Sequence, residues 1–465
     1  MYVMGERGGS AGHRMENPQS PGAGLRIREH FLCPAEFIRI ESKVDRAQSQ
    51  GYFRLGPDAI CYGSYSAGVA PKLVTDHLPD ALPEVTVGRS IVGLPFDPDQ
   101  VVDNLRWEQY HAHGVRSLAG GSPLRRMYYL LRPLMPVGAR KHLQKRYLRG
   151  WDAVPFPKWP VDQTVERIFE RLLMLAMRAG GVDRIPFIWF WPGGARACAI
   201  LTHDVETQAG ADFCSSLMDL NDRFGFKSSF QIVPEKRYSF GSRFLENIRQ
   251  RGFEVNVHDL NHDGQLFSER EEFLRRAERI RDYRREFGAE GFRSAVMYRN
   301  PHWFDALDFS YDMSIPNVAH LDPQRGGCCT VFPYFIGNLV ELPLTTIQDY
   351  PLFHVLSDYS INLWRKQISL VAEKHGLVSF IIHPDYVIDE RPRRVYTELL
   401  QHLARLRDRG EVWAALPKEV ASWWRLRSQL RLVEQGGEWR IHGHGSDRAK
   451  LAFAVLDGDR IAYEV

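Results

Sequence analysis

Seven side chains in this 465-residue chain have the types and spacing that metal-assisted or acid–base chemistry requires. Asp204 and Glu206 stand two apart in LTHDVET, and His258 and His262 four apart in VHDLNHDG. Arg293 follows in GFRS, Asp312 in YDMS and His383 in FIIHPD. Two imidazoles at that spacing, on one helical turn or a loop that mimics it, can reach one ion at about 2.0–2.1 Å. A carboxylate then completes a His₂–carboxylate set with one position open for water. In a chain with 17 histidines, HxxxH alone reads more simply as a pair that caps a strand end and bonds to backbone. The nearby D-x-E and a third histidine at another strand end tip the balance to a metal. Trp303 in RNPHWF and Tyr334 in TVFPYF could stack on a sugar ring, against the commoner alternative of core packing. His203, His302 and His320 read as structural histidines, and adjacent Cys328 and Cys329 as reduced structural thiols.

These residues need a scaffold that aims them at one place. Residues 196–425 alternate short apolar runs with amphipathic helical stretches. The candidate strands are 197–202, 228–233, 253–258, 291–297, 309–315, 339–345, 377–383 and 412–416. Helices are expected at ADFCSSLMDLNDRFG, stopped by Gly225, and at SEREEFLRRAERIRDYRREFG, opened by a Ser268…Glu271 capping box. Repeated β-then-α units imply a parallel sheet, and seven or eight of them point to a deformed (β/α)7–8 barrel. In such a barrel all strand C-terminal ends meet at one mouth, where five of these strands would present Asp204, His258, Arg293, Asp312 and His383. Before the barrel, residues 25–195 read as a mixed α+β region. It holds a hairpin at 51–64 and helices at 97–110 and 160–181, the second with Val165, Ile168, Leu172, Leu173 and Met177 on one face. After it, residues 426–465 alternate apolar and polar positions around Gly-Gly and Asp-Gly turns, as a small antiparallel β appendage does. Residues 1–24 are polar and Gly-rich, lack the apolar run of a signal peptide, and are expected to be a disordered tail.

Over roughly 196–400 the chain resembles the polysaccharide deacetylase family, metal-dependent enzymes that include chitin-oligosaccharide and peptidoglycan deacetylases. LTHDVE resembles the first motif, implying Asp204 as general base and Glu206 as metal ligand. His258 and His262 match the paired metal histidines, and Arg293 matches the arginine that orients the base, with Arg299 in YRNPHW as a second candidate. Tyr311 and Asp312 fall at the fourth motif, and His383 at the general-acid histidine of the fifth. The resemblance implies a divalent ion, Zn first, and hydrolysis of an N-acetyl amide on an amino sugar. It also implies a carboxylate that keeps His383 charged, Asp312 or the sequence-nearer Asp385. Trp303, Arg299 and Tyr311 are the expected substrate contacts. The pattern departs from the family at Glu206, where an aspartate is usual, at Asp259, where Ser or Thr is usual, and in lacking an aromatic-proline signature near the arginine. The first departure leaves open whether Asp204 or Glu206 is the metal carboxylate. Two other functions remain: a catalytically silent carbohydrate-binding protein on the same scaffold, and an amidohydrolase of a small non-sugar amide or cyclic imide.

Composition sets the outer limits. The chain is 44% hydrophobic and 25% charged, with a formal net charge of +3, so neither wholesale disorder nor a nucleic-acid-binding field is indicated. Its six cysteines include no CxxC pair, which argues against a disulfide framework or zinc ribbon. The small total charge conceals an asymmetry: residues 109–151 carry nine Lys/Arg and no Asp or Glu, interleaved with Tyr, Leu and Met. That segment reads either as a basic surface docked on acidic parts of the same protein, or as an attachment to an anionic membrane surface or lipid-linked substrate. The expected location is cytoplasmic, peripheral at the inner membrane surface under the second reading.

Overall fold

The structure, a computed structural model, describes residues 23–44, 49–111 and 148–465. Residues 1–22 of the expected tail 1–24 and most of the basic segment 109–151 lie outside the described residues. At the centre is a curled sheet of nine strands. In chain order these are β1 (Ala197–Val205), β2 (Ser229–Ile232), β3 (Glu254–His258), β4 (Gly291–Arg293), β5 (Tyr311–Asp312), β6 (Tyr334–Ile336), β7 (Leu339–Glu341), β8 (Leu377–Ile381) and β9 (Val412–Ala414). Their spatial order is β6-β7-β5-β4-β3-β2-β1-β8, with β9 also pairing β1. All pairings are parallel except β6 with β7. All eight expected strands are present; β1 runs on past its expected end to Val205, the other seven are shorter than expected, and β6 is an addition at the edge of the sheet.

The central strand β1 is buried along all nine residues, which is why it reads as a continuous run rather than an alternation. Between β7 and β8 the curl is bridged by side chains. Thr345 Oγ1 donates to Leu377 O at 2.7 Å and accepts from Ser379 N at 3.0 Å, while Thr346 Oγ1 donates to Ser379 O at 2.7 Å. The architecture is therefore a half-barrel of the (β/α)7–8 type. Helices on the outer face seal it. Gln208–Arg223 is N-capped by Thr207, whose side chain accepts from Gly210 N, and it buries Cys214, Leu217, Met218 and Leu220. Arg270–Phe287 starts later than the sequence suggests. Ser268 spends its hydroxyl on Gln265 O, so the expected capping box does not form.

The flanking regions pack onto this body. The hairpin Gln50–Arg54/Ile60–Ser64 forms as expected, and helix Pro98–Arg106 lies on it, capped by Asp97. Gly63 permits that approach, since a Cβ there would meet Val101 Cγ2 at 2.9 Å. Helix Thr164–Gly180 buries the whole expected face and ends at Gly181 in a left-handed turn. The C-terminal residues do form two hairpins, Arg431–Gln435/Glu438–His442 and Leu451–Asp457/Arg460–Glu464. The second is completed by strand Arg184–Ile188, which precedes the barrel in sequence. Among the described residues, no helix is long and apolar enough to cross a membrane.

Candidate active site

The strand register assembles the site. His258 and Arg293 are direct neighbours at the ends of β3 and β4, and Asp204 lies in the last turn of β1 beside β2. Glu206 follows β1 by one residue, His262 sits on the loop after β3, and His383 lies two residues past β8. Of the five residues expected at the mouth, Asp204, His258, Arg293 and His383 come together there, joined by Glu206 and His262, and Asp312 does not.

Glu206 is the hub of three imidazoles. Its Oε1 lies 2.8 Å from His262 Nε2, 3.3 Å from His383 Nε2 and 3.7 Å from His258 Nε2. Ligand atoms of Glu206, His258 and His262 all fall within 4.8 Å of one another. Asp204 is placed differently. Its Oδ1 accepts from Arg293 Nη1 at 2.8 Å, and Oδ2 is 3.7 Å from His258 Nε2. Arg293 is held at two further points: Nη1 also donates to Thr202 Oγ1 at 2.7 Å and Nε to Met313 O at 3.1 Å. It thus holds Asp204 through one nitrogen, where the sequence allows a bidentate pair. The geometry groups Glu206, rather than Asp204, with the paired histidines.

Among the described residues, the buried Nε2 atoms of His258 and His262 have no hydrogen-bond partner. His262 Nε2 is close to Glu206 Oε1, but its alignment is not that of a hydrogen bond. Two imidazole nitrogens and a carboxylate oxygen that converge in a buried place without bonding one another fit a cation between them. His258 Nδ1 faces Arg293 O at 3.1 Å, which fixes the tautomer that presents Nε2 to the site.

His383 is oriented by Asp349. Its Nδ1 lies 2.7 Å from Asp349 Oδ1, and its backbone N donates to Asp349 Oδ2 at 2.7 Å. Burial alone would discharge this imidazole, but Asp349, aided by Glu206, outweighs burial and raises the pKa well above the ordinary value. Burial likewise opposes the Asp204 charge, and Arg293 with His258 and His383 outweighs it, holding the carboxyl below its ordinary range. The sequence did not single out Asp349. It lies in TTIQDY, eight residues past the end of β7, out of reach of the strand-end rule that selects the other site residues.

The other expectations separate. Asp312 does not reach His383: its carboxylate accepts from Ser314 N at 2.7 Å and Ser314 Oγ at 2.8 Å and neighbours Glu341 across the sheet. Asp385 is not the partner of His383 either. Tyr311 is buried at the opposite end of its strand pairing, where its hydroxyl donates to Glu254 and accepts from Asn256 at 2.7 Å, so it lines no mouth. Arg299 is spent on a buried ion pair with Glu108, Nε donating to Oε2 at 2.6 Å, and does not orient the base. Trp303 packs on Phe273 (5.2 Å) and Phe267 (6.2 Å) beneath the Arg270 guanidinium, so its ring serves helix packing. Tyr334 is buried and donates to Arg106 O at 2.9 Å. His203 is structural, as expected: it lies 3.1 Å from Ile382 O and 3.0 Å from Asn221 Nδ2, and burial pushes its pKa down to about 4. Cys328 and Cys329 are buried free thiols.

A curled parallel sheet with a His/His/carboxylate cluster at its C-terminal mouth is the class of protein in view. No known family profile and no curated protein matches the chain. Among solved structures, it is similar to a provisionally assigned polysaccharide deacetylase from Mycobacterium smegmatis, at 17% identity and a TM-score of 0.41, over 54% of this chain and 98% of that one. It is similar to PuuE allantoinase at 12% identity and a TM-score of 0.40, over 50% of this chain and 92% of that one. It is also similar to the peptidoglycan deacetylase PdaC from Bacillus subtilis, at 12% identity and a TM-score of 0.30, over 49% and 93%.

Proposed function

We propose that this chain is a metal-dependent hydrolase that removes an N-acetyl group from an amino sugar, in a glycan or in a lipid- or nucleotide-linked sugar. One observation carries the reading. The unpartnered Nε2 atoms of His258 and His262 converge with Glu206 between an arginine-held carboxylate and a carboxylate-held imidazole. Glu206, His258 and His262 would hold a divalent cation, and their donor set is that of a catalytic zinc. Such a cation supplies polarisation of the amide carbonyl and a more acidic water.

The remaining work falls to the chain's own groups. Asp204, kept ionised by Arg293, takes the proton of the attacking water at Oδ2, the oxygen that Arg293 leaves free. Thr202 and Met313 O fix the guanidinium, so the carboxylate cannot swing away. His383, its Nδ1 held by Asp349, gives its Nε2 proton to the departing amine. An ionised base and a protonated acid thus coexist in one buried mouth because each has its own counter-charge.

Elemental analysis of purified protein, paired with acetate release from N-acetylglucosamine oligomers, tests the reading. About one zinc per chain is expected, lost in His258→Ala and Glu206→Ala. Asp204→Asn should keep the metal and lose acetate release by about 10²-fold or more. Full acetate release in all three variants rejects the proposal. Sugar binding without metal would favour the silent carbohydrate-binding reading, and ring opening of a cyclic imide without acetate release the amidohydrolase one.

A further inference from the structure

The bond that breaks in the proposed reaction joins the acetyl carbon to a nitrogen carried by the sugar. The acetyl side belongs with Glu206, His258 and His262, where a cation would polarise its carbonyl. The nitrogen must come within about 2.6–3.2 Å of His383 Nε2, the atom that protonates it. The ring bearing that nitrogen therefore lies on the His383 side of the mouth, and what stands beside His383 decides which rings are accepted.

Three aromatic rings stand there. Tyr386 packs on the imidazole of His383 itself, with centroids 4.8 Å apart and planes tilted by 40°. The short helical turn Pro384–Val387 folds it back, and Tyr386 N donates to His383 O at 3.1 Å. Tyr350 follows Asp349, the residue that holds His383 Nδ1, and its ring lies 5.6 Å from that of Tyr386. His354 is four residues further on, across the wide helical turn Pro351–Val355, which brings it alongside Tyr350. Its ring is 5.2 Å from Tyr350 and 5.3 Å from Tyr386, edge-on to the latter. All three side chains are half-buried, while His383 and Asp349 are buried. Each ring thus keeps part of its surface open while its neighbours fix its plane. Burial and the nearby charges of Glu206, Asp385 and Asp349 raise the pKa of the Tyr386 hydroxyl well above its ordinary value, so it stays a neutral donor. Trp303 and Tyr334, the aromatics that the sequence singles out, are placed otherwise, one under the Arg270 guanidinium and one in the core.

We propose that Tyr386, with Tyr350 and His354 beside it, is the platform on which the sugar ring rests, and that it selects amides whose nitrogen is carried by a pyranose. The inference rests on the amino-sugar reading above. A pyranose presents a face of C–H groups and a rim of hydroxyls. A tyrosine offers the complement of both, a flat apolar face and a polar tip that donates to one hydroxyl of the rim. An acyclic N-acetyl amine has no such face, so the platform contributes nothing to holding it.

Steady-state acetate release from N-acetylglucosamine oligomers and from N-acetylethanolamine, an acyclic amide, tests this on the full chain. Wild type should favour the oligomers by about 10-fold or more in kcat/KM. Tyr386→Ala should raise KM for the oligomers about 10-fold with kcat nearly unchanged. Tyr386→Leu, apolar but not flat, should follow Tyr386→Ala, and Tyr386→Phe should stay within about threefold of wild type. If Tyr386 only props His383, the loss falls on kcat, is equal for both substrates and shifts the pH profile. That result overturns the inference, as does an unchanged KM in Tyr386→Ala or an acyclic amide cleaved as well as the oligomers. If Tyr386→Ala fails to fold, Tyr350→Ala, which removes the neighbouring ring, carries the test through the same rise in KM. Calorimetric titration with the oligomers in an Asp204→Asn background reads the platform without turnover, and Tyr386→Ala should weaken binding about 10-fold there. Wild-type protein that releases no acetate defeats the hydrolase reading, while unchanged calorimetric binding defeats the platform.

Discussion

Asp349 does for His383 what Arg293 does for Asp204: each supplies the counter-charge that keeps its partner in the protonation state its step requires. The two oxygens of Asp349 hold one residue at two points, ring Nδ1 and backbone N, so they fix the imidazole's plane as well as its charge. Asp349→Asn should therefore lower kcat on the order of 10²-fold or more, because an amide cannot hold an imidazolium and can impose the wrong tautomer. Bound zinc should stay at the wild-type amount, since Asp349 touches none of Glu206, His258 and His262. A steady-state assay with metal analysis reads both, and unchanged kcat would remove Asp349 from the mechanism. At this scale the sequence exposed groups that sit on or next to a strand's last residue, as Asp204, His258, Arg293 and His383 do. It misassigned Asp312 because the partner of His383 lies 34 residues before it in a loop, and no spacing rule links the two. It misassigned Arg299 because an arginine looks alike in sequence whether its partner is a substrate or the buried Glu108, 191 residues away.

Among the elements, register decides who faces whom. Tyr311 and Asp312 are adjacent on β5 and point to opposite faces, which is why one bonds Glu254 and the other Ser314. Strand and helix positions were legible because the apolar runs and 3–4 spacings are long. The strand ends and β6 were not, because a three-residue edge strand has too little pattern to register. The joint between helix Thr164–Gly180 and the barrel was also hidden, as it is made by long-range contacts: Glu170 pairs with Lys374, Val165 N donates to Cys329 O, and Glu166 is buried against Thr330 and Val331. Glu166 Oε1 accepts from Thr330 Oγ1 and from Val331 N at 3.1 Å, its Oε2 is unpartnered, and burial pushes its pKa up to about 7. A folded-state pKa above the unfolded value of about 4.3 means that the native state binds this proton more tightly. The stabilisation is full below about pH 4 and is lost as pH rises through about 7, amounting to on the order of 3 kcal/mol. Glu166→Gln should remove that part of the slope. Thermal melts from pH 5 to 8 should show wild type losing stability relative to the variant as pH rises, and parallel curves would refute the assignment.

For the whole molecule, the barrel is not an independent body with two attachments. The buried Arg427 guanidinium donates to Trp189 O at 2.9 Å, His30 O at 2.8 Å and Ile188 O at 2.6 Å, binding the last barrel helix to both parts of the preceding region. Strand Arg184–Ile188 then ties that region to the C-terminal hairpin. Composition could not reveal these long-range closures, but it did reveal the charge asymmetry, +9 over residues 109–151 against −6 for the rest of the chain. Two readings of that segment differ in how they respond to salt and lipid. We propose contact with an anionic membrane surface, where each Lys or Arg near the surface contributes about 1 kcal/mol and the interleaved Tyr, Leu and Met add apolar contact. The attraction is screened as the Debye length shrinks from about 10 Å at 0.1 M salt to about 3 Å at 1 M. The protein should therefore float with vesicles containing phosphatidylserine at low salt, and sediment with neutral phosphatidylcholine vesicles or in about 1 M salt. Replacing the nine basic residues by glutamine should abolish flotation and leave acetate release from soluble oligomers unchanged. Wild-type protein that fails to float with anionic vesicles at low salt would remove the membrane reading.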